Sequence, residues 1–239
     1  MRLRARRSFY VLMCLAALFA VAGAGHIVLT HESRAGSENQ PVTAIDGDTI
    51  QLHGQVVQLY GIDAPEIGQM CLEDGVWQPC GLAAAHELNK QLRLSRRDVK
   101  CLPAADPGTS DEVCFAGNVD VAESLLTAGY VVVGSATSPD YRELEEKARE
   151  ARLGLWHSEF VPPVDWREGV RLPGEADAEA AACPIKAIAS GKQRGLYFVP
   201  TDDIYDSITL DPAAGDRTYC SDEKARADGW RRPGEADAS

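Results

Sequence analysis

The chain has 239 residues, 45% hydrophobic and 25% charged, which suits a soluble globular protein with room for one ordinary domain and a smaller one. Its formal net charge of −12 argues against strong long-range capture of nucleic acid, because an acidic protein repels polyanions.

The first 24 residues run from the basic MRLRARR through the apolar SFYVLMCLAALFA to small residues ending at Ala24, the pattern of a secretory signal. The alternative is an uncleaved anchor, since residues 9–29 are just long enough to span a bilayer. Either way, the four leader arginines hold the start in the cytoplasm and the rest is expected to be exported, periplasmic or secreted. Any membrane contact then runs only through the leader. Cleavage after Ala24 removes four arginines and no acid, taking the charge from −12 to −16. Residues 25–41, including THESRAGSENQ, read as a polar stalk.

Strand texture begins at Val42. VTAIDGDTIQL has a turn at Asp46-Gly47, His53-Gly54 makes the next, and QVVQLYGI is a β-branched and aromatic run. GLAAAHELNKQLRL (81–94) places Leu82, Ala85, Leu88 and Leu92 on one helix face. DVKCL and EVCFAG are short strands. VDVAESLLTAGYVVV predicts a helix stopping near Gly129. SPDYRELEEKAREARLGLW predicts another, with Ser138 as N-cap, Pro139 in its first turn and Gly154 at its end. This order predicts a mainly β fold with packed helices: a small antiparallel sheet, able to close into a barrel.

After FVPPVDW the composition changes. Residues 169–182 (LPGEADAEAAA and its flanks) read as an acidic linker. PGEADA occurs at 173–178 and again at 233–238, bracketing a compact segment, 183–231, ahead of a 232–239 tail. So short a segment is marginal for folding alone, which favours a disulfide staple and places Tyr197, Phe198, Tyr219 and Trp230 in a small core rather than on a sugar-binding face.

Cys14 lies in the leader, and the other six cysteines fall in sequence-local pairs: Cys71 with Cys80, Cys101 with Cys114, Cys183 with Cys220. In an exported protein these suggest three disulfides; six cysteines allow 15 connectivities, and the pairing rests on proximity. Zinc is the weaker reading, because no pair has C-x2-C spacing and histidine is scarce. Neither His86 nor His157 sits in a motif with a partner base or ligand spacing, and both read as surface or helix-face residues.

Four carboxylates, Asp46, Asp48, Asp63 and Glu66, flank the hairpin, and no Arg or Lys occurs between Asp46 and Lys90. Taken alone they read as turn residues facing water. IDGDTIQL followed by LYGIDAPE, with CGLAAAHEL, VAESLLTAGYVVV and ARLGLW in order, resembles the staphylococcal nuclease-like (thermonuclease) family over residues 42–166. The resemblance implies a 42–168 domain with a five-stranded OB-fold barrel. It implies calcium held by Asp48, Asp63 and the Ala64 carbonyl, with Glu66 as general base or water-orienting group in phosphodiester hydrolysis.

The departures weigh against that activity. Gln58 stands where the family has a phosphate-gripping arginine. The stretch matching the second arginine, PAADPGTSDEV (103–113), has no Arg, Lys or Tyr. An arginine at a transferring phosphate is worth about 10³–10⁵ in rate, and a glutamine offers one neutral hydrogen bond in place of a charged fork. Arg93, Arg96, Arg97 and Lys100 lie nearby in sequence, yet nothing places them in the cleft. Weak or lost hydrolysis is therefore expected, with calcium binding able to outlast it and nucleic-acid binding weak or absent. A guanidinium within about 4–6 Å of Asp48, Asp63 and Glu66 would point instead to a competent hydrolase.

CPIKAIAS, LYFVPTDDIYDSI and TYCSDEKARADGWRR resemble a cysteine-bracketed module that follows nuclease-like domains in exported bacterial proteins, some labelled succinoglycan biosynthesis. That implies a cell-envelope or exopolysaccharide context. Two further readings stay open: a calcium-dependent endonuclease using other basic residues, and a non-catalytic module binding an envelope polysaccharide or protein.

Overall fold

The computed structural model describes residues 42–95, 98–135, 137–180 and 183–235, all within one compact unit. The expected leader and stalk, Arg96, Arg97 and the last four residues lie outside the described residues.

The turn at Asp46-Gly47 folds β1 (Thr43–Ala44) back on β2 (Thr49–Leu52), and β3 (Gln55–Gln58) adds on the other side, Thr49 opposite Gln58. β4 (Ile62–Asp63) follows. β5 (Cys71–Glu73) and β6 (Val76–Gln78) form a hairpin stapled by Cys71–Cys80. Helix α1 (Cys80–Leu94) buries Ala84, Ala85, Leu88 and Leu92. β7 (Val99–Pro103), β8 (Glu112–Ala116) and β9 (Val119–Asp120) form a second antiparallel sheet, in which the disulfide partners Cys101 and Cys114 sit directly opposite.

Helix α2 (Val121–Ala128) is capped by the Asp120 carboxylate, which accepts the Glu123 N–H, and stops at Gly129 with φ 75°. β10 (Val132–Val133) pairs with β4. Helix α3 (Pro139–Glu150) starts at the expected Ser138 cap. Ile50, Val57, Leu59, Leu88, Leu125, Leu126 and Val131 form the main core between these sheets and helices.

The chain is thus a mixed α/β protein. The expected closed five-stranded barrel is not drawn by the ladders: among the described residues the strands stay in separate two- and three-stranded sheets. A single parallel bridge, Leu59 to Glu112, joins the chain after β3 to β8.

Helix α4 (Pro163–Arg167) begins at the VPP run, where proline fixes φ in the first turn. The segment read as a linker carries a short helix, α5 (Glu175–Ala180). Its structure also accounts for the PGEADA duplication. In both copies glycine takes a left-handed φ (Gly174 88°, Gly234 76°) in a Pro-Gly turn. The glutamate N–H then donates to the carbonyl of Leu172 or Arg232, and the glutamate carboxylate accepts that residue's N–H at 2.8 Å or 3.0 Å. The repeat is one self-closing turn used twice.

The third disulfide, Cys183–Cys220, ties the start of the last region to its end. There β11 (Ile185–Ile188) lies between β12 (Leu196–Phe198) and β13 (Arg217–Tyr219), with α6 (Asp222–Ala227) following. Tyr197, Phe198 and Tyr219 are buried and Trp230 is half-buried. Ile185, Ala187, Tyr197, Val199, Tyr219 and Ala225 share one apolar cluster with Ile45, Ile67 and Ala85 of the first region. Borrowing that surface removes the shortfall expected of about 50 residues alone.

Candidate functional site

The IDGDT turn sets two carboxylates by local hydrogen bonding. Asp46 Oδ1 accepts the N–H groups of Asp48 and Thr49 at 3.0 and 2.7 Å, a turn motif that suits its sequence. Asp48 Oδ2 accepts the Ala64 N–H at 2.7 Å, and its Oδ1 accepts the Thr49 hydroxyl at 3.0 Å. The Gln58 amide oxygen lies 2.9 Å from the same hydroxyl, so the residue standing for the family arginine does reach this corner. Its neutral amide brings no charge there.

The DAPE loop leaves β4 and carries Asp63, Ala64 and Glu66 beside this turn. The loop is pinned from behind. The Gln69 amide is fully buried: its oxygen faces the Glu66 N–H at 3.3 Å, and its Nε2 donates to the Val161 carbonyl at 2.6 Å. Gly81 at the start of α1 packs so closely that a Cβ there would sit 1.6 Å from the Glu66 carbonyl oxygen.

A guanidinium stands in the pocket. Arg167, the last residue of α4, donates from Nη1 and Nη2 to the two Asp63 oxygens at 2.8 and 3.1 Å, and from Nη1 to Glu66 Oε1 at 3.0 Å. This corrects the expectation that no cation remained beside these carboxylates. No motif or spacing marks it, because Arg167 lies 104 residues beyond Asp63 and past the last family motif. Buried Trp166 anchors it, with Nε1 donating to Glu175 at 2.8 Å. Of the basic residues considered from sequence, Arg93 pairs with Asp203 and Lys100 with Asp98 instead.

The second residue missed is Glu223 of α6. Its carboxylate and those of Asp46 and Glu66 offer oxygens that all lie within 4.8 Å of one another. Asp46 and Glu66 are buried, at 4% and 3% exposure, and Glu223 is exposed. Burial pushes Asp46 well above the usual carboxylate range, with Asp48, Glu66 and Glu223 adding like-charge repulsion. Burial, then Glu223, pushes Glu66 up to about 9, against the opposite pull of Arg167. Glu66 therefore keeps its proton at neutral pH in this arrangement.

Acidic side chains delivered by a β-hairpin and the loop after it to one pocket, faced by a guanidinium, define an α/β domain of the nuclease-like class, stapled by disulfides. A model of the family described as Staphylococcal nuclease homologue matches residues 56–158. The chain is 31% identical over 142 residues to Succinoglycan biosynthesis protein ExoI of Rhizobium meliloti (strain 1021), covering 56% of this chain and 72% of that protein. It is also 31% identical over 163 residues to Micrococcal nuclease of Shigella flexneri, covering 64% of this chain and 93% of that protein. The chain belongs to the staphylococcal nuclease-like family.

That family is generally calcium-dependent. The set expected to hold calcium here, Asp48, Asp63 and the Ala64 carbonyl, keeps oxygen lone pairs for a cation, which would compete with the Arg167 guanidinium for Asp63. Arg167 donates to both Asp63 oxygens, and the Ala64 N–H and Thr49 hydroxyl donate to those of Asp48. Among the described residues, Glu66 Oε2 is a fully buried carboxylate oxygen with no hydrogen-bond donor.

Proposed function

We propose that this is an exported nuclease-family protein in which phosphodiester hydrolysis is weak or lost. The observation that carries the reading is the engagement of Arg167. Its guanidinium is spent on Asp63 and Glu66, so it is not free to grip a phosphate. Gln58 adds only a neutral amide. Burial raises Glu66, which matches the family's base, to about 9, and a protonated carboxyl cannot take a proton from water. Losing a single preorganised donor costs about 10²–10³ in rate, and an arginine at phosphate about 10³–10⁵. The OB-type barrel, the leader and an envelope or exopolysaccharide setting belong to the same reading, the last supported by the name of the Rhizobium relative.

One observation favours a second reading, a working endonuclease. A guanidinium does lie within hydrogen-bonding distance of Asp63 and Glu66. It meets the distance condition for a competent hydrolase at Asp63 and Glu66, though not the availability that gripping a phosphate needs. Arg167 would have to leave the carboxylates to serve there. The test is cleavage of single-stranded DNA by the purified, disulfide-intact chain with calcium. The expected result is a rate at least ~10³ below that of an efficient nuclease, unchanged in Glu66→Gln. Rapid calcium-dependent cleavage abolished by both Glu66→Gln and Arg167→Ala would overturn the proposal and establish the second reading.

A further inference from the structure

We propose that residues 163–179 form an autoinhibitory latch, in which Arg167 is a tethered cation that holds Asp63 against a divalent ion. The inference rests on the engagement of Arg167 that carries the proposed function, and adds what releases it. The guanidinium meets both Asp63 oxygens, at 2.8 and 3.1 Å, and Glu66 Oε1 at 3.0 Å. A planar fork suits a carboxylate in this two-pronged way. While the fork is in place, Arg167 puts positive charge where a divalent ion would have to bind, so each disfavours the other.

The segment is built to present that side chain. Its start is pinned, because the Val161 carbonyl accepts from Gln69 Nε2 at 2.6 Å and Pro163 opens α4. The indole N–H of buried Trp166 donates to Glu175, and the Arg171 guanidinium lies 3.8 Å from the centre of its ring. Arg171 Nη1 donates to the Trp166 carbonyl and its Nε to Glu179, both at 2.6 Å. Trp166, Arg171, Glu175 and Glu179 thus brace one another within the segment, and the residue after Trp166 reaches the pocket.

The outer side of the segment is open: Val164, Arg167, Glu168 and Val170 are exposed. Among the described residues, Trp166 lies outside the apolar clusters that form the core. Release of the segment therefore breaks the ion pairs of Arg167 and leaves those clusters intact, which suits a locally opening element. Coupling of this kind is reciprocal. Calcium loosens the latch, and loss of the latch tightens calcium binding.

The test uses the full chain with its disulfides intact, stripped with EDTA. Calcium chloride is titrated by calorimetry into wild type and Arg167→Gln. In parallel, a glutamate-specific protease cuts wild type with and without millimolar calcium, and cleavage within residues 169–182, which hold Glu175 and Glu179, is followed by mass spectrometry. The expected results are calcium binding about tenfold tighter in Arg167→Gln than in wild type, and faster cleavage of the wild-type segment in calcium. Equal, weaker or absent binding in Arg167→Gln overturns the proposal. So does wild-type cleavage that calcium leaves unchanged or slows, a readout that needs no variant to fold. Neither measurement uses hydrolysis. Rapid DNA cleavage by wild type would overturn the proposed function and leave the latch standing, whereas equal calcium affinity would overturn the latch and leave weak hydrolysis standing.

Discussion

Arg167 and Asp63 form a two-pronged ion pair at 2.8 and 3.1 Å, across 104 residues of sequence, with the same guanidinium 3.0 Å from Glu66. Arg167 is 36% exposed, so solvent screens part of the pair, while Glu66 is almost fully buried. Arg167→Ala leaves two carboxylates without their donor. The expected loss is about 1–2 kcal/mol, discounted from the larger cost of breaking a fully buried pair. Urea unfolding in EDTA measures it. An unchanged midpoint would show that the pair contributes nothing.

Acidity gives a prediction of opposite sign to the usual carboxylate case. Burial raises Glu66 to about 9 from its ordinary 4.5, and Asp222 to about 6 from 3.8. The folded chain therefore holds protons that the unfolded chain has released, between those limits for each group. Stability is greatest below about pH 4–5 as far as these groups are concerned. It falls as pH rises through the windows, by up to ~1.4 kcal/mol per pH unit per group. Unfolding free energies in EDTA between about pH 5 and 8 should decline, and Glu66→Gln should flatten the upper part of the curve. A rise across that range would mean that Glu66 is ionised in the folded protein.

Gly68→Ala tests the docking of the C-terminal region. The added Cβ would sit within 2.7 Å of the Cys220 side chain and carbonyl, so the loop or α6 must move. Overpacking of this kind costs about 1–3 kcal/mol. Cleavage within residues 169–182 under limited proteolysis should rise alongside the stability loss. Equal proteolysis of variant and wild type would show that the contact does not hold the region in place.

Glu175→Ala tests the anchor behind Arg167. Fully buried Glu175 accepts from Trp166 Nε1 and the Leu172 N–H, both at 2.8 Å. Removing it leaves two donors unpaired, one a buried indole, at a cost of about 1–3 kcal/mol. If Trp166 positions Arg167, Glu175→Ala and Arg167→Ala should be non-additive in a double-mutant cycle. Strict additivity would separate the anchor from the ion pair.

The sequence by itself determined the local grammar. Ser138 caps the helix it precedes, Gly129 ends another, and Cys71–Cys80, Cys101–Cys114 and Cys183–Cys220 are the disulfides that neighbouring cysteines suggested. The two motifs also identified the family, because turn glycines and carboxylates at fixed spacing leave a short-range imprint. Tertiary structure decided what faces those carboxylates. Arg167 and Glu223 come from helices beyond the motifs, and helix α5 and the core shared with Ile45, Ile67 and Ala85 formed where a linker and a separate module were expected. Coulomb forces and burial depend on distance through space, and a pair separated by 104 residues leaves no periodicity or spacing along the chain by which it could be found.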